Sequence, residues 1–297
     1  MFFHHKELAY TVRVDKPNPV FARMLQQAIG GPEGEMRVML QYLFQAWGSR
    51  GPKKYRDMLI HTGTEEIGHI EVLATAVSMN LDGLPSEKVD DVVTNPLVSA
   101  RMGGVEPRHF LSAGLAAMPS DANGVPFNAA CIDVGGNLLA NMRANVAAES
   151  IGRTLAARLR EMTDDPGMKD LLSFLIARDT MHQQQWLAAI EDAGDTFNNA
   201  PNDVLDEGDY QRYAYSFFGH AEEPMAPDAR WLSGASLDRR GEFTFADPAP
   251  RLGQEPELMP GPASAHGGRE ATRTEGDATD GGGIAEKVKE TVAEKLT

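Results

Sequence analysis

The 297-residue sequence is 42% hydrophobic and 24% charged, and its 28 Lys and Arg face 43 Asp and Glu for a formal net charge of −15. An acidic surplus of this size argues against nucleic-acid binding and against docking to an anionic membrane, both of which rest on basic patches. There is no run of 18 apolar residues to span a bilayer, and the single Cys131 leaves no disulfide framework. The opening MFFHHKELAY lacks the apolar core of a signal peptide, so the expectation is a cytoplasmic protein of one or two domains.

From about residue 17 to 192 the pattern reads as helix with two breaks. NPVFARMLQQAI is a short apolar-periodic piece ending at Gly30-Gly31-Pro32. Pro32 suits a first helical turn, with Glu33 and Glu35 near its positive end, and the run EMRVMLQYLFQAW then stops at Gly48. A long helix follows Gly51-Pro52 and reaches about Met79. Asn80 to about Cys131 is rich in Gly, Pro, Ser and Asp and reads as a crossover with short helical turns. Another helix begins near Asp133 and runs to about Met162, Asp164-Asp165-Pro166-Gly167 reads as a tight turn, and a last long helix ends near Gly194.

Two helix pairs joined by one long crossover predict an all-α, ferritin-like four-helix bundle over residues 1–198. DYQRYAYSFFG and GEFTFAD predict short extended pieces in an extension, 199–247, packed on the bundle or on a neighbouring subunit. Residues 248–297 have the composition of a disordered tail, closing on a narrow stripe of Ile284, Val288, Val292 and Leu296.

The chemistry lies on the helix stripes, where residues three or four apart share a face. Glu35 aligns with Met39 and Tyr42; then come Leu59, Thr62, Glu66, His69, Leu73 and Val77; then Leu138, Met142, Asn145, Glu149, Gly152 and Ala156; then Leu172, Leu175, Asp179, His182, Trp186 and Ala189. Every stripe carries a carboxylate, and two add a histidine three residues on. Unpaired buried carboxylates cost several kcal/mol each, on the order given by ion desolvation, and no Lys or Arg shares these stripes. Two divalent cations resolve the conflict. Glu35 precedes Glu66-x-x-His69 by 31 residues and Glu149 precedes Asp179-x-x-His182 by 30, a pseudo-repeat suited to a carboxylate-bridged pair of metals. In this reading Glu35 and His69 hold one ion, Glu149 and His182 the other, and Glu66 bridges them. Asp179, one methylene shorter than Glu, stands back beside an open position as a group that moves protons. Oxygen and imidazole donors suit Mn and Fe alike.

At GEMRVMLQYLFQ, TGTEEIGHIE, NVAAESIGR and ARDTMHQQQW the chain resembles the manganese (non-haem) catalases, over residues 1 to about 220. The resemblance implies disproportionation of hydrogen peroxide to water and oxygen at a haem-free dimanganese centre cycling between Mn(II)/Mn(II) and Mn(III)/Mn(III). It implies that Glu35, Glu66, His69, Glu149 and His182 bind metal, that Asp179 transfers protons, and that Tyr42 hydrogen-bonds the Glu35 carboxylate. It also implies a homo-hexamer. Ala148 stands where some members carry a basic residue, and His61 stands where a calcium site including Asp57 needs a second carboxylate, so no calcium site is assigned. The other readings of the same residues are a ferritin-like di-iron storage or ferroxidase protein and a shell or coat protein with little turnover.

Overall fold

A computed structural model describes residues 4–82, 106–197, 211–218 and 229–246. Most of the crossover, the tail from 248 and its apolar stripe lie outside the described residues.

Helix α1 (Pro19–Gly30) starts at Asn18, whose side chain accepts from the amides of Val20 and Phe21 at 3.1 and 3.2 Å, with Pro19 at the first position. Helix α2 is Glu35–Gly48, which begins later than Pro32 suggests. Residues 31–34 instead form a turn in which the Gly34 amide bonds the Gly31 carbonyl at 3.0 Å, and a Cβ on Gly34 would lie 2.6 Å from the Ala28 carbonyl oxygen. The chain has to clear α1 before it can coil again, and this leaves Glu35 at the amino end of α2.

Helix α3 is Lys53–Leu81, α4 is the single turn Arg108–Leu111, and Ala129–Cys131 forms a 3₁₀ turn. These short turns agree with the expectation for the described part of the crossover. Helix α5 (Leu138–Glu161) begins five residues after Asp133, because Gly136 has φ +68° and Asn137 then caps the Ala140 amide at 2.9 Å. Helix α6 is Pro166–Asp192, so Asp165-Pro166-Gly167 is a cap and first turn rather than a free-standing tight turn. Asp165 accepts from the Met168 amide at 3.0 Å and, through its other oxygen, from the amides of Asp15 and Lys16 at 2.8 and 2.7 Å. Gly167 is required here, since a Cβ would sit 2.0 Å from the Arg13 carbonyl oxygen.

The four long stripes read from the sequence do face inward. Leu59, Thr62, Glu66, His69, Leu73 and Val77 are all buried, as are Leu172, Leu175, Asp179, His182, Trp186 and Ala189. Helix α2 packs along α3 and α5 along α6, with α1 laid against α3. Two apolar clusters result. One joins Phe21, Leu25, Val77, Leu81, Leu159 and Leu171 at the α1 end, and the other joins Tyr42, Leu59, Met142, Trp186 and Ile190 at the opposite end. Each large buried apolar side chain contributes roughly 1.5–3 kcal/mol. That burial holds the helices around a polar layer that by itself opposes folding.

The chain divides into residues 1–215 with 234–243, and 216–233 with 244–297. Helix α7 (Gln211–Ala214) is a single turn where the sequence suggested extended chain. In the second unit, strand β1 (Ser216–Phe218) pairs parallel with residues 244–246, Ser216 opposite Thr244. In the first, β2 (Gly234–Ala235) pairs antiparallel with residues 242–243. Both pairings use β3 (Glu242–Ala246). Among the described residues no helix is long and apolar enough to cross a membrane.

Candidate metal centre

Between the two apolar clusters the four helices present Glu35 from α2, Glu66 and His69 from α3, Glu149 from α5, and Asp179 and His182 from α6. One turn of helix separates Glu66 from His69, so both project to the same side. Glu35, Glu66 and His69 each place a donor atom within 4.8 Å of the others, and so do Glu66, Glu149 and His182. Glu66 belongs to both groups. Its Oε2 lies 2.6 Å from His69 Nδ1 and its Oε1 lies 2.9 Å from His182 Nδ1. His69 Nδ1 is 3.9 Å from Glu35 Oε2, and His182 Nδ1 is 3.6 Å from Glu149 Oε1.

Both ring nitrogens of His69 and His182, together with Glu66 Oε2, are buried without a hydrogen-bond partner. Orphaned donors and acceptors of this kind are costly unless something satisfies them. Oxygen and imidazole nitrogen atoms facing one another across a few ångströms suit two divalent cations, so the residues present fit such a pair.

Among protein groups alone the layer is electrostatically frustrated. Burial, followed by the charges of Glu66 and Glu149, raises the Glu35 carboxyl to about 7. Burial and Glu66 also raise Glu149. Burial and the charges of Glu35, Glu149 and Glu66 push Asp179 up to about 9. Burial opposes ionisation of Glu66 as well, but His69 and His182 outweigh it and hold that carboxyl at about 2. His182 is carried the other way, to about 12, because Glu149, Glu65 and Glu66 overcome its burial. Cations between these groups would relieve the repulsion that raises the carboxyls.

Asp179 joins neither group of donor atoms. With Glu33, Glu35, Glu149, Ala148 and Gly152 it lines a cavity of about 20 Å³, room for one water-sized molecule. Asp57 also joins neither group, and it pairs with Lys53 one turn away.

Tyr42 corrects an expectation. Its hydroxyl donates to Glu149 Oε1, not to Glu35. Seven residues, or two turns, part Tyr42 from Glu35 along α2, so the phenol reaches sideways to the facing helix instead. The Trp186 indole N–H approaches the same Glu149 oxygen at 3.4 Å, and the Tyr42 and Trp186 rings lie 4.8 Å apart.

Two features were missed in the sequence. Glu65 sits beyond the outer nitrogens of both histidines and is held by Arg178, whose Nε and Nη2 donate to Oε1 and Oε2 at 2.6 and 3.2 Å. Its signal was its place four residues before His69, passed over because it lies one residue off the apolar stripe. The second is a buried amide web. Gln41 and Gln45 both donate to Asn145 Oδ1, at 2.8 and 2.9 Å, and Asn145 donates back to Gln45 Oε1 at 2.8 Å. The Asp133 amide donates to Gln41 Oε1 at 3.0 Å, which ties the lead into α5 to α2.

Comparison with known proteins gives a consistent picture. The family model described as manganese containing catalase matches residues 1–280. A manganese catalase of Bacillus subtilis is 41% identical over 267 residues, covering 90% of this chain and 97% of its own. One from Lactiplantibacillus plantarum is 35% identical over 268 residues, covering 90% and 98%. The crystal structure of KatB, a manganese catalase from Anabaena, superposes with a TM-score of 0.66 at 23% identity over 84% of this chain and all of that one, a likeness of fold.

Proposed function

This chain belongs to the manganese-containing catalase family, and on that premise we propose that it disproportionates hydrogen peroxide to water and oxygen at two manganese ions per chain. The observation that carries this reading is the sharing of Glu66 between two sets of donors whose imidazole nitrogens are buried and without a hydrogen-bond partner. Glu35 and His69 would hold one ion, Glu149 and His182 the other, with Glu66 between them. A bound manganese pair supplies two-electron redox capacity, so that one peroxide is reduced and the next oxidised without release of a one-electron fragment.

The chain's own groups do the rest. The cavity beside Glu35, Glu149 and Asp179 has room only for a very small molecule. Asp179, buried in the wall of that cavity, is placed to give a proton to a departing oxygen and to take one from the next peroxide. Tyr42 and Trp186 orient Glu149, and the apolar clusters on either side keep bulk water out. The named relatives favour this reading over iron storage or a shell role. The bundle of residues 1–198 is the catalytic domain in this account, assembled as a homo-hexamer in the cytoplasm.

Metal analysis of the purified protein with an oxygen-electrode assay tests the proposal. About two manganese ions per chain and rapid oxygen release from peroxide are expected. Folded protein that holds no metal, or that loads many irons per chain without releasing oxygen, would overturn it.

A further inference from the structure

Glu65 is the neighbour of Glu66 on α3, but a step of about 100° around the helix carries its carboxylate to the other side of the two imidazoles. His69 and His182 are fully buried, and their rings lie 5.7 Å apart at an angle of only 26°. Their Nδ1 atoms face Glu66, so both Nε2 atoms face outward. Glu65 Oε1 is 3.6 Å from His69 Nε2, and Glu65 Oε2 is 3.3 Å from His182 Nε2. One carboxylate thus stands opposite the outer nitrogen of a histidine on α3 and of a histidine on α6. Its own position is fixed from α6 by the two-pronged contact with Arg178. Neither Nε2 has a hydrogen-bond partner, and the Glu65 carboxylate is the acceptor that stands opposite both.

We propose that Glu65, locked by Arg178, is a positioning residue acting on both imidazoles at once, and that it sets the affinity of both metal positions together. A carboxylate that receives the Nε2 hydrogen fixes the ring tautomer and leaves the Nδ1 lone pair toward the inner cage. Histidines that each had a separate outer partner could be weakened one at a time. Here a single change on the rim should loosen both. The inference rests on the dinuclear reading above, and its test separates the two.

The test measures manganese(II) binding to wild-type protein and to Glu65→Gln, Glu65→Asp, Arg178→Gln and the Glu65→Gln/Arg178→Gln pair. Equilibrium dialysis against a competing chelator gives number and affinity, electron paramagnetic resonance distinguishes coupled from isolated ions, and thermal unfolding of the metal-free proteins reports folding. Glu65→Gln should weaken both positions together by about 10- to 100-fold. Glu65→Asp should recover part of that loss, and Arg178→Gln, which leaves the carboxylate in place, should lose less. The double variant should bind no worse than Glu65→Gln alone, because Arg178 acts through Glu65. Wild-type affinity in Glu65→Gln, or weakening of one position only, overturns the proposal. Should Glu65→Gln fail to fold, unaltered binding by Arg178→Gln overturns it equally. Wild-type protein that takes up no manganese overturns the dinuclear reading itself, and this inference with it.

Discussion

Tyr42 on α2 gives its hydroxyl hydrogen to Glu149 on α5, so a phenol from one helix pair orients a carboxylate of the other. Glu149 is thereby fixed by two aromatic donors, Tyr42 and Trp186. Tyr42→Phe keeps the ring against Trp186 and removes only the hydroxyl. A hydrogen bond to a charged group contributes about 1.5–3 kcal/mol. The variant should therefore unfold at lower temperature when metal-free, and its turnover should fall roughly 10- to 100-fold, the range typical of partners to metal ligands. Thermal melts and an oxygen-electrode assay check both, and wild-type values in both would sink the assignment.

Replacing His69 or His182 with Ala removes the one nitrogen donor from one of the two sets of three. Either variant should lose manganese and oxygen evolution while its far-ultraviolet circular dichroism stays helical, because the apolar clusters that hold the helices are untouched. Full activity in either would refute the assignment of that residue to the metal.

The sequence made the inward residues legible because helix period and chemistry coincide. Glu66 and His69, or Asp179 and His182, cannot both point inward on a strand, and four such stripes leave few ways to satisfy them. What it hid was which neighbouring helix a side chain meets. Tyr42 shares a stripe with Glu35, yet its partner belongs to α5, a matter of how helices are set side by side. Glu65 stayed unseen because it flanks the stripe and matters only once His69 and His182 are stacked. The helix starts were displaced by tertiary contacts, as at Gly34 against Ala28, or by caps such as Asn137 and Asp165.

Asp179→Asn is a change of nearly equal shape in the wall of the small cavity. An amide has no proton to exchange at this position in the way a carboxyl does. Manganese content should stay at the wild-type level while turnover falls about 10²- to 10⁴-fold, the usual share of a positioned acid or base. Loss of manganese would instead make Asp179 a ligand.

The fourth prediction lies away from the centre, at His109 on α4, which is fully buried with Nε2 3.3 Å from Gln26 Oε1 and Nδ1 without a hydrogen-bond partner. Gln26 in turn donates to the carbonyls of Met118 and Ser120 and accepts from the Met118 amide at 3.0 Å, so this imidazole packs where the crossover is fastened to α1. Burial is the main influence and lowers the His109 pKa below its ordinary 6.5; Arg23 pushes the same way and Glu106 only partly offsets them. As pH falls, the unfolded chain takes up this proton before the folded one does. The contribution is therefore complete above pH 6.5 and declines as pH drops from 6.5 toward the lower folded value. His109→Gln keeps a neutral polar side chain but does not titrate. Melting temperatures of metal-free wild type and variant, followed from pH 8 to about 5, should show the steeper acid loss in wild type. Parallel curves would mean that His109 is not held neutral by its surroundings.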